Sequence, residues 1–217
     1  MTETSLRNKI RLTRQDILPL AEYAAVRRDQ RRRMADIKRQ RRFEVGPFAT
    51  FYFENYETMW HQVQEMLHIE KGGDAQLEDE LAAYNPLIPQ GSELVATVMF
   101  EIDDPVRRGS VLAKLGGIEN HVFLDVAGEK IRGEPDPTRE NTSPDGKASS
   151  VQFVRFPFTH DQIGRFSTPG TQIIAGFDHP NYRHMAVLPE PVRAALARDF
   201  DRDRPGAQNN SEREQQL

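Results

Sequence analysis

The stretch Phe51-Tyr-Phe-Glu-Asn-Tyr-Glu-Thr-Met-Trp-His-Gln-Val-Gln-Glu-Met-Leu-His-Ile-Glu70 decides how this 217-residue chain is read, because it holds the only tryptophan and two of the six histidines. Its first residues suit a strand, and Asn55 is a residue type that caps helices. From there Tyr56, Met59, Trp60, Val63 and Leu67 recur at three-four spacing, with Met66 beside them, so one stripe of a helix faces a core. At about 100° per residue, His61, Glu65 and His68 fall within roughly 60° of one another, nearly opposite that stripe. The expected element is a strand that turns straight into a helix with an apolar side and a histidine-bearing side.

Toward the N-terminus, Val45-Gly-Pro breaks the chain before a strand from Phe48 to Glu54. Upstream, one long helix is expected from Leu20 to about Arg42, on a narrow seam that includes Tyr23, Val26, Met34 and Ile37. Thr13-Arg-Gln-Asp16 has the outline of a capping box, and Pro19 sits where a helix can begin. Between positions 27 and 42 lie Arg27, Arg28, Arg31, Arg32, Arg33, Lys38, Arg39, Arg41 and Arg42 against only Asp29 and Asp36. That is an excess of seven positive charges in a chain whose net charge is −4, so the rest carries a net −11.

Toward the C-terminus, Gly72-Gly73 stops the tryptophan helix, an acidic helix runs from Ala75 to Tyr84, and prolines bracket a loop at 85–91. Glu93 to Ile102 is apolar on both faces and reads as a central strand. Asp103-Asp104-Pro105 starts a helix to about Leu115. His121 to Val126 and Glu129 to Gly133 read as a hairpin about Ala127-Gly128. Residues 134–149 contain nothing to bury and are expected as a mobile loop. Strands follow at 150–158, 171–177 and 182–188, with helices at 159–166 and 189–200 and a turn at Asp178-His-Pro-Asn181. Strands joined mostly by hairpins and interrupted by helices define an α+β fold: a largely antiparallel sheet flanked by helices, with a long basic helix at the N-terminal end. The expected organisation is a flexible N-terminus at 1–12, a single domain at 13–200 and a disordered tail at 201–217.

The absence of cysteine excludes disulfides, thiolate nucleophiles and Cys-ligated metal centres as chemistry of this chain. There is no dinucleotide glycine fingerprint, no phosphate-cradling loop and no nucleophile elbow. No run nears the ~18 apolar residues of a membrane span, and the N-terminus lacks the apolar core of a secretory signal, so the expected address is the cytoplasm with no membrane partner.

Three candidate sites remain. His61, Glu65 and His68, completed by His179 or His160, could hold one divalent metal, iron or zinc, since imidazole and carboxylate suit both. The same row is also an ordinary polar helix face with Glu57 one turn back. Asp178, His179 and Tyr182 share one turn, a setting favoured by functional groups and by turn geometry alike. Finally Arg27, Arg28, Arg31, Arg32 and Arg39 could meet phosphates or an acidic surface. Without aromatic interleaving or a recognised binding motif, nucleic acid is the weaker reading, and an internal or subunit-facing charge seam, as in a homo-oligomer, the stronger one.

Several phrases together resemble a known family: Leu12-Thr-Arg-Gln-Asp-Ile-Leu-Pro19, Val45-Gly-Pro, Phe53-Glu-Asn, Gln62-Val-Gln-Glu-Met66, Tyr84-Asn-Pro-Leu-Ile-Pro89, Glu93-Leu-Val-Ala-Thr97, Ser149-Ser-Val-Gln-Phe153 and Asp178-His-Pro-Asn-Tyr182. The family is a bacterial domain of unknown function, number thirty-five hundred and one, and the resemblance spans roughly residues 12 to 200. It implies no activity. It implies a setting beside rubrerythrin-like proteins and iron–sulfur oxidoreductases, and hence iron or peroxide metabolism with an oxidoreductase as partner. Glu65 and Asn55 fall on the family's pattern, whereas His61 and His68 do not. The sequence therefore supports an accessory or interaction protein first, a His/carboxylate metalloprotein second, and nucleic-acid binding third.

Overall fold

Apolar residues of period two and period three-four lie side by side along this chain, and they sort it into two sheets and a helical layer. The computed structural model describes residues 9–200, so the expected disordered tail and the first eight residues lie outside it. In chain order the elements are α1 (Leu20–Arg39), β1 (Arg42–Val45), β2 (Ala49–Phe53), α2 (Tyr56–Glu70), α3 (Gly73–Tyr84) and β3 (Glu93–Phe100). Then follow α4 (Pro105–Leu112), β4 (Val122–Val126), β5 (Glu129–Arg132), β6 (Glu134–Pro135), β7 (Val151–Pro157), α5 (His160–Ser167), β8 (Ile173–Phe177), β9 (Met185–Val187) and α6 (Glu190–Ala197).

One sheet has the order β1-β2-β3-β7-β6 and the other β5-β4-β8-β9. Every pairing between these strands is antiparallel, so the fold is α+β as the pattern implies. β3 is central, pairing β2 on one side and β7 on the other, and its two faces serve two cores. Leu94, Ala96, Val98 and Phe100 join Phe51, Phe156, Leu124 and Phe177 in a core shared by both sheets. Val95, on the opposite face, packs with Leu12, Met59, Val63, Leu67, Leu77 and Leu81 beneath the helices.

Gly133 turns the chain from one sheet into the other: β5 pairs in the second sheet, β6 in the first, and a Cβ at Gly133 would collide with Val154. Its amide donates to Val122 O at 2.9 Å, so the corner is also hydrogen-bonded.

Three expectations change. The basic helix ends at Arg39 rather than Arg42, because Phe43 and Val45 enter the shared core at a spacing of two and pull the chain into β1. Residues 134–149, expected as a mobile loop, form β6 and a bridge between Thr142 and Ala148. Polar side chains tie this segment down: Gln152 Nε2 donates to Asn141 O at 2.9 Å, Gly117 N to Thr142 Oγ1 at 2.9 Å, and Thr142 Oγ1 to Glu119 at 2.9 Å. Ala148, expected with nothing to bury, reaches the core at 2% exposure. Leu12, placed at the end of a flexible terminus, is 1% exposed, and its amide donates to Asn85 Oδ1 at 2.7 Å.

Candidate functional site

The strand-to-helix turn forms as its sequence dictates. Asn55 Oδ1 accepts from the Thr58 amide at 2.9 Å, and Thr58 Oγ1 accepts from the Asn55 amide at 2.9 Å, closing a reciprocal cap. Tyr56, Met59, Val63 and Leu67 of α2 are buried, while Trp60 and Met66 are half-buried. The Trp60 indole donates to Asp16 O at 2.8 Å, which pins the N-terminal segment against α2.

The other side of α2 meets α1. Tyr23, fully buried, stands edge-on to both Trp60 and His68, with ring centroids 6.0 Å away in each case. Its hydroxyl donates to Glu65 Oε1 at 2.7 Å, and Arg27 grips the same carboxylate with Nε at 2.8 Å and Nη2 at 2.9 Å. Arg27, with help from Tyr23 and against partial burial, lowers the Glu65 carboxyl to about 2. Burial and the Glu65 charge push the Tyr23 hydroxyl upward. A second ion pair, Arg33 to Glu57, closes the seam about two turns nearer the start of α2.

The histidine row therefore does not assemble as a metal centre. Both oxygens of Glu65 are engaged by Arg27 and Tyr23, and a guanidinium fork on a carboxylate competes directly with a cation. His61 is half-buried, its Nε2 without a hydrogen-bond partner, and burial lowers its pKa so that it stays neutral at pH 7. His179 lies elsewhere, its ring nitrogens 3.3 Å from Gly116 O and 3.2 Å from the Asn181 amide, edge-on to His121 at 5.1 Å. Among the described residues no three His, Cys, Asp or Glu side chains are grouped to hold a metal ion.

The turn candidates are likewise engaged inside the fold. Asp178 accepts from Arg132 at 2.8 Å and faces His121 Nδ1 at 3.1 Å and Lys130 at 3.4 Å; Arg132 above all holds its carboxyl far below the usual range. Tyr182, expected as an interaction residue, is 3% exposed. Its hydroxyl donates to Val45 O at 2.8 Å and accepts from the Phe48 and Ala49 amides at 3.1 and 3.0 Å, clamping the β1–β2 turn.

The arginines divide. Arg27 and Arg33 are held by α2, and Arg41, also from the basic run, is buried with Asp199 and donates to Phe53 O at 2.9 Å and Glu54 O at 3.0 Å. Arg32 and Arg39 form exposed pairs with Asp29 and Asp36 one turn away, contacts of the kind that contribute little. Arg28 and Arg31 pair with no carboxylate among the described residues. Together with Ala24, Arg27, Arg32 and His68 they line an open cleft of about 550 Å³ between α1 and the end of α2. Next to His68 in the chain, Ile69 stands 64% exposed. Sequence reasoning singled out the cations but missed Ile69, whose place beyond the apolar stripe is the only signal for it.

A second cleft, about 380 Å³, lies between the end of α3 and β6–β7, over Leu87, Val95 and Phe153. Its cations are occupied: Arg139 lies over Phe153 at 4.5 Å and Arg155 pairs with Glu93 at 3.0 Å. No helix among the described residues is long and apolar enough to cross a membrane.

A search of curated proteins returns no match. A crystal structure of a novel protein of unknown function from Burkholderia pseudomallei K96243 is similar, with 37% sequence identity and a TM-score of 0.81, covering 88% of this chain and 99% of that one. Over residues 11–200, nearly all of the described fold, the chain matches the family described as a protein of unknown function, DUF3501, and it belongs to that family.

Proposed function

We propose that this chain is an interaction protein that docks a partner protein through the outer face of α1 and α2. The observation that carries this reading is the open cleft lined by Arg28 and Arg31, which pair with no carboxylate among the described residues, together with Ile69 exposed near the end of α2. Charged groups around an exposed apolar residue are the composition of a docking patch. The groups best suited to chemistry, Glu65, Asp178 and Tyr182, are by contrast held in internal hydrogen bonds. The family resemblance implies iron or peroxide metabolism, so an oxidoreductase of rubrerythrin-like type is the client to test first.

The test is site-specific photo-cross-linking of the full chain in its own cells, with the probe at Arg28, at Arg31 or, as control, at Val187 on the far sheet. Discrete adducts from the two α1 positions and none from Val187 are expected. Equal labelling from all three, or none from any, overturns the reading.

A further inference from the structure

The outer surface of the helical layer is ordered across its width. On α2, Glu57, Glu65 and His68 face α1. Met59, Val63 and Leu67 pack with Leu77 and Leu81 of α3, and Gln62 reaches Tyr84 at 3.4 Å. At about 100° per residue these two sets point to opposite flanks, so α1 and α3 lie on either side of α2. What remains outward on α2 is a short apolar ridge of Met66, half-buried, and Ile69, exposed. On the α1 flank of this ridge stand Arg28, Arg31 and His68. On the α3 flank Glu70 and Glu80 are joined by Gln76 Nε2, at 3.0 and 3.2 Å, with Asp79 exposed next to them. Read across the layer, the order is cation, apolar ridge, then a mainly acidic flank on which Arg14 pairs with Asp74 and Glu78 and Lys71 follows Glu70.

A surface in that order is its own complement. Half a turn about an axis through the ridge lays the cationic flank of one copy on the anionic flank of the other, twice, and ridge upon ridge between them. Nucleic acid would meet Glu70, Asp79 and Glu80 as repulsion, and a purely acidic protein would leave that flank unmatched. The space is sufficient. α1 is roughly 30 Å long at 1.5 Å per residue, and three helices about 8–10 Å apart span roughly 25 Å, which gives close to the ~800 Å² per partner of a standard interface.

We propose that the helical layer is a twofold homodimer interface in which Arg28 and Arg31 of each copy face Glu70, Asp79 and Glu80 of the other. This rests on the docking reading above and, in place of an oxidoreductase client at this face, names its partner as a second copy of the chain.

Sedimentation equilibrium of the full chain at low and high salt, together with two charge-reversal variants, tests it. Arg28→Glu with Arg31→Glu makes both flanks acidic, and Glu70→Lys with Glu80→Lys makes both basic. Each variant alone is expected to be monomeric, with dissociation constants raised at least about tenfold. Their equimolar mixture is expected to form a dimer, as is the chain carrying all four changes, because either arrangement restores opposite charges twice. The rescue also shows that neither variant has merely failed to fold. A wild-type chain that stays monomeric at high concentration, a ladder of higher species in place of a dimer, or a dimer indifferent to all four changes overturns the proposal. Monomeric wild type that still gives cross-links to another protein from Arg28 and Arg31 ends self-docking and leaves the docking reading standing; monomer without cross-links ends both.

Discussion

Glu65 shows how one side chain can serve a fold while looking like a site. Its carboxyl is depressed from an ordinary value of 4.5 to about 2, chiefly by the Arg27 fork. A depressed carboxyl stabilises the fold fully above its unfolded value, and this contribution is lost as pH falls from about 4.5 through about 2. Glu65→Gln is therefore expected to cost about 2 kcal/mol at pH 7, since hydrogen bonds to charged groups contribute about 1.5–3 kcal/mol. The variant should also lose less stability than the parent between pH 5 and 2.5, as followed by urea unfolding at each pH. Tyr182 makes the parallel case for a neutral group. Removing its hydroxyl takes a hydrogen-bond partner from the Val45 carbonyl and from the Phe48 and Ala49 amides. Tyr182→Phe should destabilise by about 1–3 kcal/mol in the same assay, the penalty for unsatisfied buried polar groups.

Among the elements, those fixed by local chemistry are the ones the sequence discloses. Asn55 caps α2, Asp104 Oδ1 accepts from the Arg107 amide at 2.6 Å to start α4, and β3 reads as central from its two apolar faces. What stays hidden depends on distant partners. Arg41 looks like its neighbours in the basic run, yet it is 5% exposed because Asp199, far along the chain, meets it. The segment at 134–149 reads as loop because it is held by Asn141, Thr142 and Gln152 hydrogen bonds, which leave no hydrophobic period. The candidate site was legible to the same extent: the cations stand out, but which of them α2 neutralises requires the helix pairing. The Arg41–Asp199 pair also joins the segment that follows α6 to the start of β1. Breaking it from one side, with Asp199→Ala, should cost about 3–5 kcal/mol by leaving a buried charge. Changing both, Arg41→Met with Asp199→Leu, should recover only part of that loss in the same denaturation curve, because the Phe53 and Glu54 carbonyls lose the Arg41 donor as well.

Across the whole molecule, the first sheet is a wall with a core on each side, and β3 contributes to both. Neither core can be exposed without unzipping strands that support the other, so the described fold should unfold in one step. Trp60 fluorescence reports the helical side and far-ultraviolet circular dichroism reports the whole; coincident urea transitions are expected, and two separated midpoints would show the layers to be independent. The corner at Gly133 carries a consequence for how such a fold tolerates change. β5 pairs in one sheet and β6 in the other on either side of a bend one residue long, so adding or deleting a single position there would shift β6 out of its register with β7. Lineages of this architecture are thus free to lengthen the hydrogen-bonded excursion after Pro135 but are locked at the fold line, and engineered insertions or chain breaks belong in the former.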